Sequence, residues 1–131
     1  MNDAKFWEIV KTVNWAKDCN YKRIKHWMLN NLTLEEAMAF RKIASQKWAL
    51  LDNLVGERNP ANGGDDSHSD LLYHVVGLGK KEFEAHLDDF LLLAARGSSY
   101  GSEEGYTESF SYAIPYEDDY EKSNDPAQLD N

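Results

Sequence analysis

The chain has 131 residues, of which 42% are hydrophobic and 12% aromatic, enough for one hydrophobic core at the usual length of a single domain. Its net charge of −9 lies almost entirely from Ser98 onward, where nine acidic residues stand against one basic residue, a net of −8. No apolar run approaches the roughly 20 residues of a bilayer span, no signal-peptide core follows Met1, and the single cysteine cannot close an internal disulfide. We therefore expect a cytoplasmic protein without membrane contact.

Two short amphipathic helices are predicted at the start of the chain. Asp3 is the expected N-cap of the first helix, because its carboxylate can accept hydrogen bonds from the N–H groups of the first turn. The apolar positions of this helix share one face and comprise Phe6, Ile9, Val10 and Val13. After a break at residues 18–20, a second stripe recurs at helical spacing and comprises Tyr21, Ile24, Trp27 and Met28.

The strongest helical signal starts at Thr33. Thr33 and Glu36 have the capping-box spacing, in which each side chain binds the backbone N–H of the other. The predicted buried face of the long helix that follows comprises Ala37, Phe40, Ala44, Trp48, Leu51 and Val55. Gly56 is a natural C-terminal stop, and the concentration of Pro, Asn and Gly predicts a loop over residues 57–64.

Two further helices are expected between this loop and Gly97. The first runs from about His68 to Leu78, behind aspartates that can cap it. The second begins after Gly79 and continues to Gly97 without a break. Its predicted apolar stripe comprises Phe83, Leu87, Phe90, Leu91 and Ala94. Five helices with short connections predict an all-α compact bundle over residues 1–97.

The composition changes after Gly97, which predicts an acidic, tyrosine-rich tail over residues 98–131. This tail holds five of the seven tyrosines. A short helix within residues 104–113 or an extended segment is expected there, and Pro115 ends it. Beyond that point, repulsion between carboxylates and the scarcity of aliphatic side chains favour disorder.

Short motifs within residues 4–95 carry a resemblance to a known family. They comprise Phe6-Trp7 on the first helix, Leu34-Glu35-Glu36 with Phe40 on the long helix, and the turn Gly63-Gly64-Asp65-Asp66. In these motifs the chain resembles the bacterial family known as domain of unknown function 4240. The resemblance implies a helical fold. It implies no mechanism, because the family has no established activity. Ser67-His68 stand where the family usually has Gly-Phe, and Leu72 and His74 stand where it has Arg and Trp.

The densest group of potential metal ligands lies in the predicted fourth helix. Asp66, Asp70 and His74 are spaced four residues apart and share one helix face, and their oxygen and imidazole donors suit a divalent ion such as zinc or manganese. The alternative, which we favour, is that Asp65 and Asp66 cap the helix start, that Asp70 pairs with His74, and that the histidines lie on the surface. No nucleophile stands at a recognised spacing, so no catalytic residue and no cofactor is predicted.

The tail offers a surface for a protein partner. Aromatic anchors beside carboxylates suit docking on a basic protein surface, whereas the scarcity of cations disfavours nucleic-acid contact through the tail. The predicted partner-binding residues are Tyr106, Phe110, Tyr112, Tyr116, Tyr120, Glu117, Asp118 and Asp119. The alternative is a solvated, disordered tail that only keeps the protein soluble.

Taken together, these patterns favour a non-enzymatic protein-interaction module that presents its acidic segment to a basic partner. One form is an immunity or anti-defence protein that blocks a nucleic-acid-binding enzyme by placing negative charge where phosphates would lie. The competing hypothesis is a small metal-dependent or acid–base enzyme centred on Asp66, Asp70 and His74. Either protein is expected to be a monomer or a small homo-oligomer.

Overall fold

The computed structural model describes residues 1–58, 65–100 and 109–123, and all regular secondary structure in these ranges is helical. The α-helices are α1 Asp3–Val13, α2 Tyr21–Asn31, α3 Leu34–Val55, α4 Asp65–Gly77, α5 Lys80–Asp88, α6 Phe90–Tyr100 and α7 Glu117–Ser123. Two 3₁₀ helices, Trp15–Lys17 and Phe110–Ala113, complete the set. The predicted all-α compact fold is confirmed. None of the helices in the described ranges combines the length and the apolarity that a bilayer span requires.

Helix α1 buries the face that its periodicity predicts. Its four apolar residues at positions 6, 9, 10 and 13 are buried. The N-cap is Asn2 and not Asp3, because the Asn2 side-chain oxygen accepts the N–H of Lys5 at 2.8 Å. Asp3 instead forms an ion pair with Lys47 of α3 at 2.7 Å. The helix ends at Asn14, whose backbone is left-handed, a conformation that asparagine tolerates better than most residues.

Helix α3 confirms the prediction from its cap onward. The N–H of Glu36 donates to Thr33 Oγ1 at 3.1 Å, and the N–H of Thr33 donates to Glu36 Oε1 at 2.9 Å. Five of the six predicted core positions are buried, while Trp48 is half-buried and its indole N–H donates to the Ser69 carbonyl at 3.3 Å. The helix packs against α1, α4 and α5 and is the centre of the bundle.

The prediction of one helix from residue 80 to Gly97 is wrong. Helix α5 ends at Asp89. The Oδ1 atom of Asp89 accepts the N–H groups of Leu91 at 3.0 Å and Leu92 at 3.4 Å, and so caps the start of a separate helix, α6. Because the break restarts the helical phase, Leu93 of α6 is fully buried, whereas the predicted core residue Leu91 is 76% exposed.

The segment from residue 109 to residue 115 lies in the core, where the sequence predicts a tail outside the helical domain, with a possible short helix over residues 104–113. Phe110, Ala113 and Ile114 are buried, and the 3₁₀ helix that carries the first two packs against α2 and α4. The burial has a simple cause, since residues 110–115 form an apolar stretch without a charge inside the acidic tail. The predicted disorder beyond Pro115 is also wrong for α7, while residues 104–108 and 124–131 lie outside the described residues.

Distant parts of the chain meet at Trp15. This side chain is fully buried, and its indole N–H donates to His74 Nδ1 at 3.1 Å. The Phe110 ring packs edge-on against it, with 5.2 Å between ring centroids. Gly77 fits beneath both rings because it has no side chain: a Cβ there would lie 2.8 Å from a Trp15 ring atom. The packing thus requires glycine at position 77.

Candidate interaction surface

Arg41 of α3 holds residues 109–123, which we call the C-terminal segment, against the helical body. Its guanidinium group lies over the Tyr116 ring, 3.7 Å from the centroid, and also donates a hydrogen bond to the Ile114 carbonyl oxygen. A cation–π contact of this kind contributes about 0.5 to 2 kcal/mol, depending on how far water is excluded. One side chain therefore contacts both the backbone of the segment, at Ile114, and the exposed ring of Tyr116.

Lys25 of α2 fixes the segment a few residues further on. Its ammonium group pairs with Asp119 at 2.9 Å, and the other Asp119 oxygen accepts the N–H of Tyr116 at 2.8 Å, which caps the start of α7. Partial burial raises the pKa of Asp119, but the Tyr116 N–H and the Lys25 charge outweigh it, so the pKa lies below its ordinary value. Asp119 is thus a negative charge directed toward the body.

Tyr120 provides the third attachment. Its hydroxyl group contacts two carbonyl oxygens at the start of α3, donating to Leu32 at 2.9 Å or Thr33 at 3.2 Å. Partial burial raises the pKa of Tyr120, and the carboxylates of Glu36 and Asp119 add to the rise. The phenol therefore stays neutral and remains a hydrogen-bond donor at physiological pH.

Other side chains of the segment face solvent. Tyr112 is 51% exposed and Tyr116 is 62% exposed, and the α7 residues Glu117, Asp118 and Glu121 are exposed as well. We call this set the acidic aromatic surface; it comprises Tyr112, Tyr116, Glu117, Asp118 and Glu121.

The structure separates the predicted partner-binding residues into groups. Tyr112, Tyr116, Glu117 and Asp118 are exposed as expected of a docking surface. Asp119 and Tyr120 bind the helical body instead. Phe110 is fully buried, so its assignment as a surface anchor is wrong: its ring fills the space beside Trp15. Tyr106 lies outside the described residues.

The predicted metal ligands lie on α4. The side chain of Asp66 lies outside the described part of the structure. Among the described side chains, no group of three His, Cys, Asp or Glu residues is arranged to hold a metal ion. His74 is not the surface residue that we expected, because its Nδ1 accepts the Trp15 N–H. Its pKa is lowered to about 4, chiefly by burial and to a smaller extent by the neighbouring Arg96 and His86. The metal hypothesis stays a prediction.

Two other histidines are also fully or partly buried. His86 is fully buried, and its Nε2 accepts the Arg96 Nε–H at 2.8 Å while its Nδ1 lies 2.7 Å from the Glu82 carbonyl oxygen. A ring that accepts at Nε2 donates from Nδ1, so the Glu82 carbonyl oxygen accepts the Nδ1–H of this histidine. His68 is half-buried, with Nε2 2.9 Å from Asp52.

Sequence reasoning missed the two cations that hold the segment. Arg41 and Lys25 carry no local signal, because each sits on the polar side of a helix, and Arg41 bonds a carbonyl 73 residues away. No family model, curated protein or solved structure matches the chain. The resemblance to domain of unknown function 4240 therefore stays a prediction, and the geometry of the acidic aromatic surface is the remaining support for a function.

Proposed function

We propose that the protein is a non-enzymatic interaction module that binds a basic protein through the acidic aromatic surface. The observation that carries the proposal is the attachment of residues 114–120 to the body by Arg41, Lys25 and the Tyr120 hydroxyl. These contacts leave two tyrosine rings and adjacent carboxylates exposed on a fixed backbone. A surface that is ordered before binding loses less conformational entropy when a partner docks.

The chemistry of the surface indicates the kind of partner. Tyrosine supplies a large contact area with few rotatable bonds, and neighbouring carboxylates attract a positively charged surface and accelerate its approach. A partner with exposed Arg and Lys around an apolar pocket fits this pattern. An immunity or anti-defence protein is one form of the proposal, in which the carboxylates occupy the place of nucleic-acid phosphates on an enzyme.

Capture from a native lysate with matched variants tests the proposal. The test variant is Glu117→Gln with Asp118→Asn, which removes two exposed charges and keeps the side-chain shapes. The control is Glu57→Gln with Asp88→Asn, which removes two exposed charges from other parts of the chain. The captured protein is identified by mass spectrometry, purified, and titrated against all three proteins by calorimetry at low and high salt.

We expect a basic protein that the wild type and the control capture equally. The test variant should bind it about five- to tenfold more weakly at low salt, since each exposed charge pair contributes only up to about 1 kcal/mol. The difference should shrink at high salt because screening removes the charge term. Equal capture by all three proteins, or no specific capture by the wild type, would reject the proposal.

A further inference from the structure

A second concave feature lies between α1 and the junction of α4 with α5. It is a groove of about 530 Å³, within the range of roughly 300 to 1,000 Å³ that small-molecule sites occupy. The apolar residues that line it come from both sides and comprise Trp7, Val10, Trp15, Gly77 and Leu78. It shares no residue with the acidic aromatic surface.

The charge of the groove is opposite to that of the protein. Three lysines line it, Lys11 from α1 with Lys80 and Lys81 from α5, against one acidic residue, Glu8. The lining residues alone carry a net charge of +2 in a chain whose net charge is −9, and Lys80 lies 4.0 Å from Glu84 just outside the lining. Lys11 and Lys81 are exposed, and neither forms an ion pair with any residue in the described ranges. Their ammonium groups are therefore available at the edge of the groove.

The position of Trp7 gives the groove an aromatic wall. The Trp7 ring packs on Phe6 at 4.8 Å and on Phe83 at 5.4 Å between centroids, the Lys47 ammonium group lies 5.8 Å from its centroid, and the side chain is half-buried. Trp15, which also lines the groove, is fully buried and is held by its hydrogen bond to His74. Both indoles are thus positioned without a ligand, so binding would order few side chains.

We propose that this groove binds a small amphipathic anion, namely an aromatic body that carries one carboxylate or phosphate group. The aromatic body lies against Trp7 and the apolar floor, and the anionic group lies between Lys11 and Lys81. Burial of apolar area contributes to the affinity, and the two lysines favour ligands with a negative charge. A neutral aromatic compound would gain from the floor alone, and an apolar cation would be repelled.

Three naphthalene probes test the proposal on the full chain. 2-Naphthoate and 2-naphthyl phosphate carry the proposed anionic group, and 2-naphthamide has nearly the shape of the carboxylate without its charge. Binding is followed by the NMR signal of the Trp7 indole N–H, with Trp27 of α2, which does not line the groove, as the internal reference. The test variant is Lys11→Glu with Lys81→Glu, and the control is Lys22→Glu with Lys42→Glu, two exposed lysines that do not line the groove.

We expect both anionic probes to move the Trp7 signal to saturation and to leave the Trp27 signal in place. The amide and the test variant should each weaken binding by about tenfold or more, and the control should change it by less than about twofold. A comparison of the two anions shows which group the lysines prefer. The inference is overturned if the amide binds as tightly as the carboxylate, if both lysine variants lose binding equally, or if Trp7 shows no saturable shift at roughly 10 mM probe.

Discussion

Replacement of Phe110 by alanine should remove a large part of the free energy of unfolding of this protein, although the residue lies within its most acidic stretch. The ring is fully buried and contacts Trp15 and Phe40, with centroid distances of 5.2 and 6.4 Å. Removing a buried phenylalanine side chain costs about 3 to 5 kcal/mol, and the cost is highest where the surroundings cannot collapse into the space.

The surroundings of Phe110 are rigid, which places the expected loss near 4 kcal/mol. Trp15 is held by its hydrogen bond to His74, and Gly77 offers no side chain that could move into the gap. A domain of this size is stable by about 5 to 15 kcal/mol in total. One substitution would therefore remove a quarter or more of the stability.

Urea unfolding followed by far-ultraviolet circular dichroism measures the effect. With a slope of about 1.5 kcal/mol per molar urea, the midpoint should fall by about 2 to 3 M. Tyr112→Ala is the matched control, because Tyr112 lies two residues further on and is half-exposed, and its loss should stay below about 1 kcal/mol. If both variants unfold at the wild-type midpoint, residues 109–115 do not belong to the core and the reasoning fails.

Three further changes test other parts of the structure. Gly77→Ala should destabilise the protein by about 1 to 3 kcal/mol despite the helix preference of alanine, because the new Cβ would lie 2.8 Å from a Trp15 ring atom. The control is Asn53→Ala on the exposed side of α3, which should raise the melting temperature. A similar rise for Gly77→Ala would contradict the prediction. Because the pKa of His74 falls from 6.5 to about 4 on folding, the unfolded chain takes up the proton first. Stability should therefore be complete above pH 6.5 and decrease by roughly 2 to 3 kcal/mol down to about pH 4; His74→Gln should flatten that profile, and an unchanged profile would refute the assignment. Thr33→Ala removes one half of the capping box and should cost about 1 kcal/mol in urea unfolding, whereas a loss near zero would show that the cap does not limit α3.

The parts of the fold that depend on neighbouring residues were predictable. Thr33 and Glu36 form their cap within a single turn, and the apolar spacing of α3 identifies its buried face because 3.6-residue periodicity is local. The end of α5 was not predictable in the same way. The apolar stripe continues through Asp89, and only the packing of both helices decides that this carboxylate caps α6 instead of lying on the polar face of one long helix.

The sequence predicted which residues form the candidate interaction surface, but it did not predict that this surface is attached to the helical body. Its exposed tyrosines and acids follow from the sequence, because such residues have little to bury. The attachment of the segment does not, since Arg41 and Lys25 find their partners only after the helices have packed. Charge averaged over the whole of residues 98–131 also hid the apolar stretch from Phe110 to Pro115. A shorter window centred on that stretch would have revealed it.

The long-range contacts of the C-terminal segment have a consequence for limited proteolysis. Arg41 and Leu32 bind residues 73 and 88 positions away, and Phe110 is enclosed by rings from α3 and from the start of the chain. A protease that cut once between Tyr100 and Ser109 would therefore leave a nicked, non-covalent heterodimer. A denaturing gel would show two fragments, while native mass spectrometry would still record a single assembled species. The two fragments, expressed separately, should complement each other.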